Sequence, residues 1–360
     1  MKKFFFLLIV LCFSCSEPSE KLFYVDFSRA DFESVSVEIN NYVENWIKVE
    51  LESSVDFMVA PYYTIYPSND YIFIYSSELM LQFDYSGKFL RKITIRGNGP
   101  NELVGLTECI VNEETDLLYW IDIADKNRIH VYDLNENNFK ECIPIATQQA
   151  LLSFYLIGDS SFLCFPFTGN SIQSCFLQDM QGNINTQIAS SGEYQGIHVV
   201  GAKPAVFNFN NEWFYQDIFG DTVFSINNRE AKVLFLRGKY FLPEEAIIAP
   251  NQNLVFLNKI FYTKKELFLS YYQQVVKPAD KNTFVMFSEG HRFFIFDWFK
   301  KSTHEINLVT FDLLGEKYNK QEIPSFFKKL SSENPKKLVY CSFSEDNYDD
   351  NPVLYIGDIK

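Results

Sequence analysis

The sequence predicts an all-β fold: a six-bladed β-propeller of four-stranded antiparallel blades with one short, mainly helical insertion. Three observations predict it. From residue 22 onward, short apolar, aromatic and β-branched runs alternate with clusters of Gly, Asn, Asp and Ser, the grammar of strands and turns. The residues that open the outer turn of successive units, Asp84, Asp133, Asp179 and Asn227, lie 49, 46 and 48 positions apart. That period matches one four-stranded sheet per repeat. Finally, 17% of the 360 residues are aromatic, and a β chain that apolar needs a closed ring to hide its edges.

The amino terminus reads first. Lys2 and Lys3 precede an apolar run from Phe4 to Phe13, and Ser14-Cys15-Ser16-Glu17-Pro18 follows. Ten helical residues rise about 15 Å, half of a bilayer core, so the run reads as an export signal rather than a membrane span. Ser14 before Cys15 resembles the lipobox of bacterial lipoproteins, which implies cleavage before Cys15 and acyl chains on it. The plainer alternative is a secreted chain cleaved nearby. The expected organisation is a signal peptide over 1–14, an acidic tether over 15–30 and the propeller over 31–360. Acyl chains on Cys15 would anchor the domain to a membrane without a spanning helix.

The repeats follow in order. Tyr71–Tyr75, Leu79–Asp84 and Lys88–Ile93 make the first; Leu117–Asp122, Arg128–Asp133 and Phe139–Ile143 the second. Phe162–Phe167 and Ile172–Asp179 belong to the third, and Glu212–Gln216, Thr222–Ile226 and Ala231–Leu236 to the fourth. Arg292–Trp298 and Glu305–Asp312 form a further unit, whose marker, Asp312, lies 85 positions after Asn227. That gap holds either a degenerate blade or an insertion. Pro243-Glu244-Glu245 is a helix start, Pro being tolerated and acids favoured in a first turn, so the insertion is placed over 243–280. Val353–Ile359 has no turn after it, and is expected to complete a blade begun by N-terminal sequence such as Leu22–Phe27.

Several stretches resemble the six-bladed β-propeller lipoproteins of Gram-negative anaerobes, distantly similar to NHL-repeat propellers. They are Val49-Glu50-Leu51-Glu52-Ser53, Phe83-Asp84-Tyr85-Ser86-Gly87-Lys88-Phe89-Leu90 with Gly97-Asn98-Gly99-Pro100-Asn101-Glu102, Asp221-Thr222-Val223-Phe224, Gly238-Lys239-Tyr240-Phe241-Leu242-Pro243 and Asn351-Pro352-Val353-Leu354. The resemblance implies the propeller fold and an outer-membrane setting, on the periplasmic side or the cell surface, beside nutrient-uptake machinery. It implies no settled activity. The chain departs from the pattern at Asn101, where the family has Gly, which puts that loop's backbone in question.

Net charge is −14, and −16 once Lys2 and Lys3 are removed. That sign disfavours nucleic acid and anionic lipid as partners. Five cysteines remain beyond Cys15, none spaced CxxC, and the four histidines are scattered, so no zinc site is expected. One pair is a disulfide candidate. A two-residue hairpin turn at Gly169-Asn170 sets Cys164 opposite Cys175 in a hydrogen-bonded pair with Cα atoms about 5.5 Å apart, within bonding reach. Pro166 in the same strand argues for a bulge that shifts the register, leaving two buried thiols.

Motifs for chemistry are sparse. Gly97-Asn98-Gly99-Pro100 is neither GxGxxG nor a P-loop. Its neighbours Arg96, Asn98 and Glu102 are the candidate ligand loop, against the simpler role of a glycine turn between blades. Glu345 to Asn351 offers carboxylate and amide oxygens for calcium, the one cofactor suggested, but lacks EF-hand order. Tyr119, Trp120, Trp213, Phe214, Tyr215, Phe293, Phe294 and Trp298 are a candidate sugar platform, although consecutive strand residues face opposite ways and such rings pack between blades. His130 either lines the channel or caps a blade. No GxSxG or HExxH is present. The functional expectation is a membrane-anchored, non-catalytic binding or scaffold module with a protein or glycan ligand of the cell envelope. The alternative is a propeller enzyme (lactonase, lyase or glycan-cleaving) with its site at the channel mouth.

Overall fold

A run such as Tyr71-Ile-Phe-Ile-Tyr75 does not alternate with polar residues, and the reason is that both of its faces are buried. Phe73 and Tyr75 pack against Leu118 and Trp120 of the following sheet, while Ile72 and Ile74 pack against Val339 and Leu354 of the preceding one. Each sheet is thus a wall between two cores, which is the packing of a propeller blade. The computed structural model describes residues 22–360 except 55–57, 61–62, 98, 100, 123, 126, 148–149, 167–172, 190–203, 217–219, 228–230, 237–252, 279–283, 321–329, 332 and 344–350.

Six sheets make the six-bladed ring. Blade 1 is Thr64–Pro67, Tyr71–Tyr75, Leu79–Asp84 and Phe89–Ile95; blade 2 is Leu106–Asn112, Leu117–Asp122 and Arg128–Asp133, with Asn138–Phe139 and Ile143–Pro144 sharing its outer edge. Blade 3 is Leu151–Ile157, Ser161–Pro166, Gln173–Asp179 and Ile184–Ala189; blade 4 is Ala205–Phe209, Glu212–Gln216, Thr222–Ser225 and Ala231–Leu236. Blade 5 is Asn253–Tyr262, Glu266–Pro278, Phe284–Asp297 and Ser302–Leu313, with Glu316–Lys320 beside the last. Blade 6 is Leu330–Ser331, Lys337–Ser342, Val353–Ile359 and, from the other end of the chain, Val43–Glu50.

The period of about 48 has a local cause. Asp84 Oδ1 accepts the N–H groups of Ser86 (2.9 Å) and Lys88 (3.1 Å), Asp133 Oδ1 those of Asn135 (3.0 Å) and Glu136 (2.8 Å), and Asp179 Oδ1 those of Gln181 (2.9 Å) and Asn183 (2.8 Å). Each carboxylate closes the outer turn of its blade as an Asx turn. In blade 5 this role belongs to Asp297, which accepts from Phe299 (3.0 Å) and Lys300 (2.9 Å). Asp312 lies instead near the end of the blade's last strand. The long gap therefore holds one blade with strands of 13, 14 and 12 residues, not an extra one.

Three expectations about segments are corrected here. Of the 243–280 insertion, Asn253–Tyr262 and Glu266–Pro278 are strands rather than helix, because they pair with each other antiparallel from Asn253↔Val275 to Tyr262↔Leu267, with one register shift between Lys259 and Phe261; residues 243–252 and 279–280 lie outside the described residues. The one helical element among the described residues is a 3₁₀ turn, Ile39–Asn41. The ring does close through the N-terminal sequence, but by Val43–Glu50, antiparallel to Val353–Ile359. Phe23–Asp26, within the stretch expected to be tether, runs parallel to Ala231–Leu236 on blade 4, and Ser34–Glu38 runs parallel to the last strand of blade 5. Residues 23–50 form a belt over the outer edges of blades 4, 5 and 6. Phe27 is fully buried against Phe235 and Phe294. Arg292 pins the belt, donating to the carbonyls of Phe27 (3.0 Å) and Arg29 (2.8 Å) while gripping Glu305 through two bonds of 2.8 and 2.6 Å.

The Cys164–Cys175 disulfide is overturned by one residue of register. Cys164 pairs with Phe176 and Ser161 with Asp179, and a slip of one sends a side chain to the other face. Cys164 packs with Phe154 and Phe162 between blades 2 and 3, whereas Cys175 packs with Phe165 and Tyr215 between blades 3 and 4. Both thiols are buried, and neither is joined in a disulfide. The Gly169-Asn170 turn lies outside the described residues. No helix among the described residues is long and apolar enough to cross a membrane.

Candidate functional site

The first strand of every blade lines the axis of the ring, and together they enclose a cavity of about 580 Å³. Tyr66 comes from blade 1, Asn112 and Glu113 from blade 2, Tyr155 from blade 3, Val206 and Trp213 from blade 4, Lys259 and Tyr262 from blade 5, and Asn334 and Lys336 from blade 6. The volume lies in the range of small-molecule sites, and so does the mixture of aromatic walls with a few polar groups.

Its polar groups are arranged in two regions. On the side of blades 1, 2 and 6, Glu113 Oε2 accepts from the backbone N–H of Asn69 (3.0 Å) and Oε1 from Asn334 Nδ2 (3.2 Å). Asn334 Nδ2 also donates to the carbonyl of Pro67 (2.7 Å), so one amide joins three blades. Burial holds the Glu113 carboxyl above the usual carboxylate range, against the pull of the Asn69 bond and of Lys336 and Lys337. Burial likewise pushes the Tyr66 and Tyr75 phenols up, reinforced by Cys109 and Glu333, so both stay neutral donors. Asn112 is 2% exposed; its Oδ1 accepts from Glu114 N–H (3.0 Å), but its Nδ2 is buried without a hydrogen-bond partner. A buried amide donor left open at a cavity wall is a place for a ligand or water acceptor.

On the side of blades 3, 4 and 5, Lys259 Nζ donates to the Val206 carbonyl (3.1 Å) and stands 6.0 and 5.6 Å from the ring centres of Tyr155 and Tyr262. Tyr155 donates its hydroxyl to the Pro204 carbonyl (3.1 Å). Among the described lining residues, Glu108, Glu113, Glu114, Asp159 and Glu333 face two cations, Lys259 and Lys336. Such a wall disfavours anionic ligands and suits neutral or cationic polar ones. Among the described residues no three His, Cys, Asp or Glu side chains are grouped to hold a metal ion.

The predicted site residues lie elsewhere. Arg96 pairs with exposed Glu78 (2.6 Å), and Glu102 turns back to accept from Gly99 N–H (2.7 Å); Asn98 lies outside the described residues. Their loop leaves blade 1 at the strand ends opposite the turns 113–116 and 333–336 that border the cavity. Asp122 anchors it to blade 2, accepting from Val104 (2.8 Å), Gly105 (3.0 Å) and Ala124 (2.9 Å). Asn101 adopts φ 68°, a left-handed conformation that Asn shares with Gly, so the departure from the family pattern leaves that conformation accessible.

His130 stacks on Trp120 at 5.3 Å within blade 2, with its Nε2 3.5 Å from Asp125 and Cys142 Sγ 3.9 Å from its Nδ1. Burial lowers its affinity for a proton, and it does not line the cavity. Of the eight platform aromatics only Trp213 does; Tyr119 and Trp120 point into different inter-blade cores. Residues 345–350 of the calcium candidate lie outside the described residues. Asn351 is committed to structure, bonding the Glu52 carbonyl (2.7 Å) and the Val59 N–H (2.7 Å). The cavity residues themselves escaped sequence reasoning. Their shared signal is position, near the end of the first strand of a repeat, as in Tyr66, Asn112 and Tyr155.

A family model described as a domain of unknown function (DUF4934) matches residues 23–357. Among solved structures, an inferred exported protein of Bacteroides fragilis aligns with TM-score 0.62 at 15% identity, over 94% of this chain and 100% of its own. A DUF4221 family member from Bacteroides vulgatus aligns with TM-score 0.46 at 11% identity, over 89% and 99%. At these identities the likeness speaks for fold alone. No curated relative matches. With a model that spans nearly all of the propeller, the chain belongs to the DUF4934 family.

Proposed function

We propose that this protein is an exported, envelope-anchored binding module that holds a small polar ligand in its central cavity and performs no chemistry on it. The carrying observation is the cavity itself, to which all six blades contribute and where Asn112 keeps an open buried donor. A ring closed by pairing of its two chain ends is a rigid frame for such a site, and preorganisation favours affinity. The resemblance of Ser14-Cys15 to a lipobox, and the fold shared with an inferred exported protein, support acylation of Cys15 at the outer membrane. A fragment of envelope glycan or peptide fits the mixture of phenol, amide and carboxylate groups.

The test is a binding screen of glycans and peptides against the mature chain. Asn112→Leu should weaken a cavity ligand at least about tenfold, the worth of one buried hydrogen bond with its desolvation. A ligand whose affinity ignores Asn112→Leu and Glu113→Gln does not use this cavity. Cys15→Ser should release the protein from membranes, and unchanged fractionation would refute the anchor. One observation favours the enzyme reading: Glu113 is a carboxyl held above its usual range in a cavity, the property of a general acid. Turnover of a bound glycan or lactone that disappears in Glu113→Gln would establish it.

A further inference from the structure

The acidic balance of the whole chain conceals one locally basic corner. The turn after the first strand of blade 5 carries Lys264 and Lys265, and the turn after its third strand carries Phe299, Lys300 and Lys301. The two turns touch, because Trp298 N–H donates to the Lys265 carbonyl (2.8 Å). Lys265 pairs with Glu266 (3.2 Å) and Lys300 with Asp297 (3.4 Å), both acids nearly buried while the lysine side chains stay 59% and 76% exposed. Lys301 stands 4.1 Å over Trp298. The corner thus presents exposed ammonium groups, while the two acids paired with it lie nearly buried beneath them. Phe299 projects from it, 53% exposed.

The chain enters the ring at this same corner. Phe23 opens the strand that pairs with Ala231–Leu236, and its ring stacks 6.2 Å from Phe296, over which Lys301 also lies (6.0 Å). Beside it Leu22 and Tyr24 are 37% and 63% exposed. Seven steps of chain separate Leu22 from Cys15, which reach at most about 25 Å. An acylated Cys15 would therefore hold this corner next to the bilayer.

We infer that the Lys264–Lys265 and Phe299–Lys301 turns, with Leu22 and Tyr24, form a membrane-docking surface for an anionic lipid bilayer. The orientation rests on the Cys15 anchor proposed above; the binding surface does not. Exposed aromatics beside lysines suit the headgroup boundary. Salt screens the net charge of the distant blades beyond about 8 Å, so the corner in contact decides the sign of the interaction. Acyl chains plus a basic patch also make a two-part anchor of the kind stable attachment uses.

The test uses the mature chain with Cys15→Ser, which removes any acyl group, in co-sedimentation with two vesicle types. Binding is expected on phosphatidylcholine vesicles containing about 30% phosphatidylglycerol, weaker binding on phosphatidylcholine alone, and loss of the difference in about 0.5 M salt. Lys264→Ala with Lys300→Ala should reduce partitioning about thirtyfold, some fivefold per lysine, with the melting temperature unchanged. Phe299→Ala should weaken binding to both vesicle types. Equal partitioning on neutral and anionic vesicles, a double variant that binds like the parent, or binding to heparin without binding to vesicles would each overturn the inference. Unchanged fractionation of a Cys15→Ser protein that also carries Lys264→Ala and Lys300→Ala would refute the anchor alone, whereas loss of vesicle binding refutes the surface alone.

Discussion

Gly357 is where closure of the ring can be tested most sharply. It sits in Val353–Ile359, at the register irregularity between Ile356 and Asp358 where this strand meets Val43–Glu50. A Cβ added there would lie 2.4 Å from Val43 Cγ1 and 2.9 Å from Trp46 Cδ2. Val43 is 1% exposed and has nowhere to go. Gly357→Ala should therefore force the closing strand outward, at about 1–3 kcal/mol for an overpacked methyl. Val43→Ala alone removes two buried methyl groups, about 2 kcal/mol with its cavity. Combined, the two should cost at least about 1 kcal/mol less than their sum, because the second change makes room for the first. Urea unfolding of the four proteins measures that coupling, and hydrogen exchange should show protection lost over 43–50 and 353–359 before other blades. Strict additivity, or exchange that rises elsewhere first, would refute the claim that these two strands seal the ring.

Three further outcomes are expected. Asp122→Ala should destabilise by about 3 kcal/mol in urea unfolding, because it strands three backbone N–H groups of the 104–105 and 124 loops. Glu113 lies above its unfolded value of 4.5, so its favourable contribution is complete below pH 4.5 and fades as pH rises through the raised value. Glu113→Gln keeps an acceptor for Asn69, gives up the one that meets Asn334 and cannot ionise, so the pH dependence of stability across that window should flatten; a slope like the parent's would count against the buried setting. Thiol titration of the unfolded, unreduced mature chain should find all five of Cys109, Cys142, Cys164, Cys175 and Cys341, and a count of three would restore the disulfide.

The repeat was readable because one residue type does one job in each copy. Asp84, Asp133 and Asp179 all close the outer turn with the same carboxylate geometry, and that requirement survives while the strands around them vary. The same rule misleads at Asp312, since blade 5 lengthened its strands and moved the equivalent carboxylate to Asp297. The closing strand was misplaced because Phe23–Asp26 and Val43–Glu50 have equally strand-like compositions, and only the partners at Ala231–Leu236 and Val353–Ile359 separate them. Cys164 and Cys175 show how little suffices to defeat a hairpin count, one residue of register. The cavity was invisible for a different reason. Tyr66, Asn112, Tyr155, Lys259 and Asn334 span 268 positions and carry no motif; they meet only when six sheets circle one axis.

The belt of residues 23–50 has a temporal consequence. Its partners lie at 231–236, 302–313 and 353–359, so residues 23–50 wait for strands made two hundred residues and more after them. Until residues 353–359 have been made, the strand Val43–Glu50 has no partner, and pairings of such long separation form slowly. A cell making this protein must keep residues 43–50 soluble until residues 353–359 have been made, and any chain released short of residue 353 lacks the partner that this strand was made to meet.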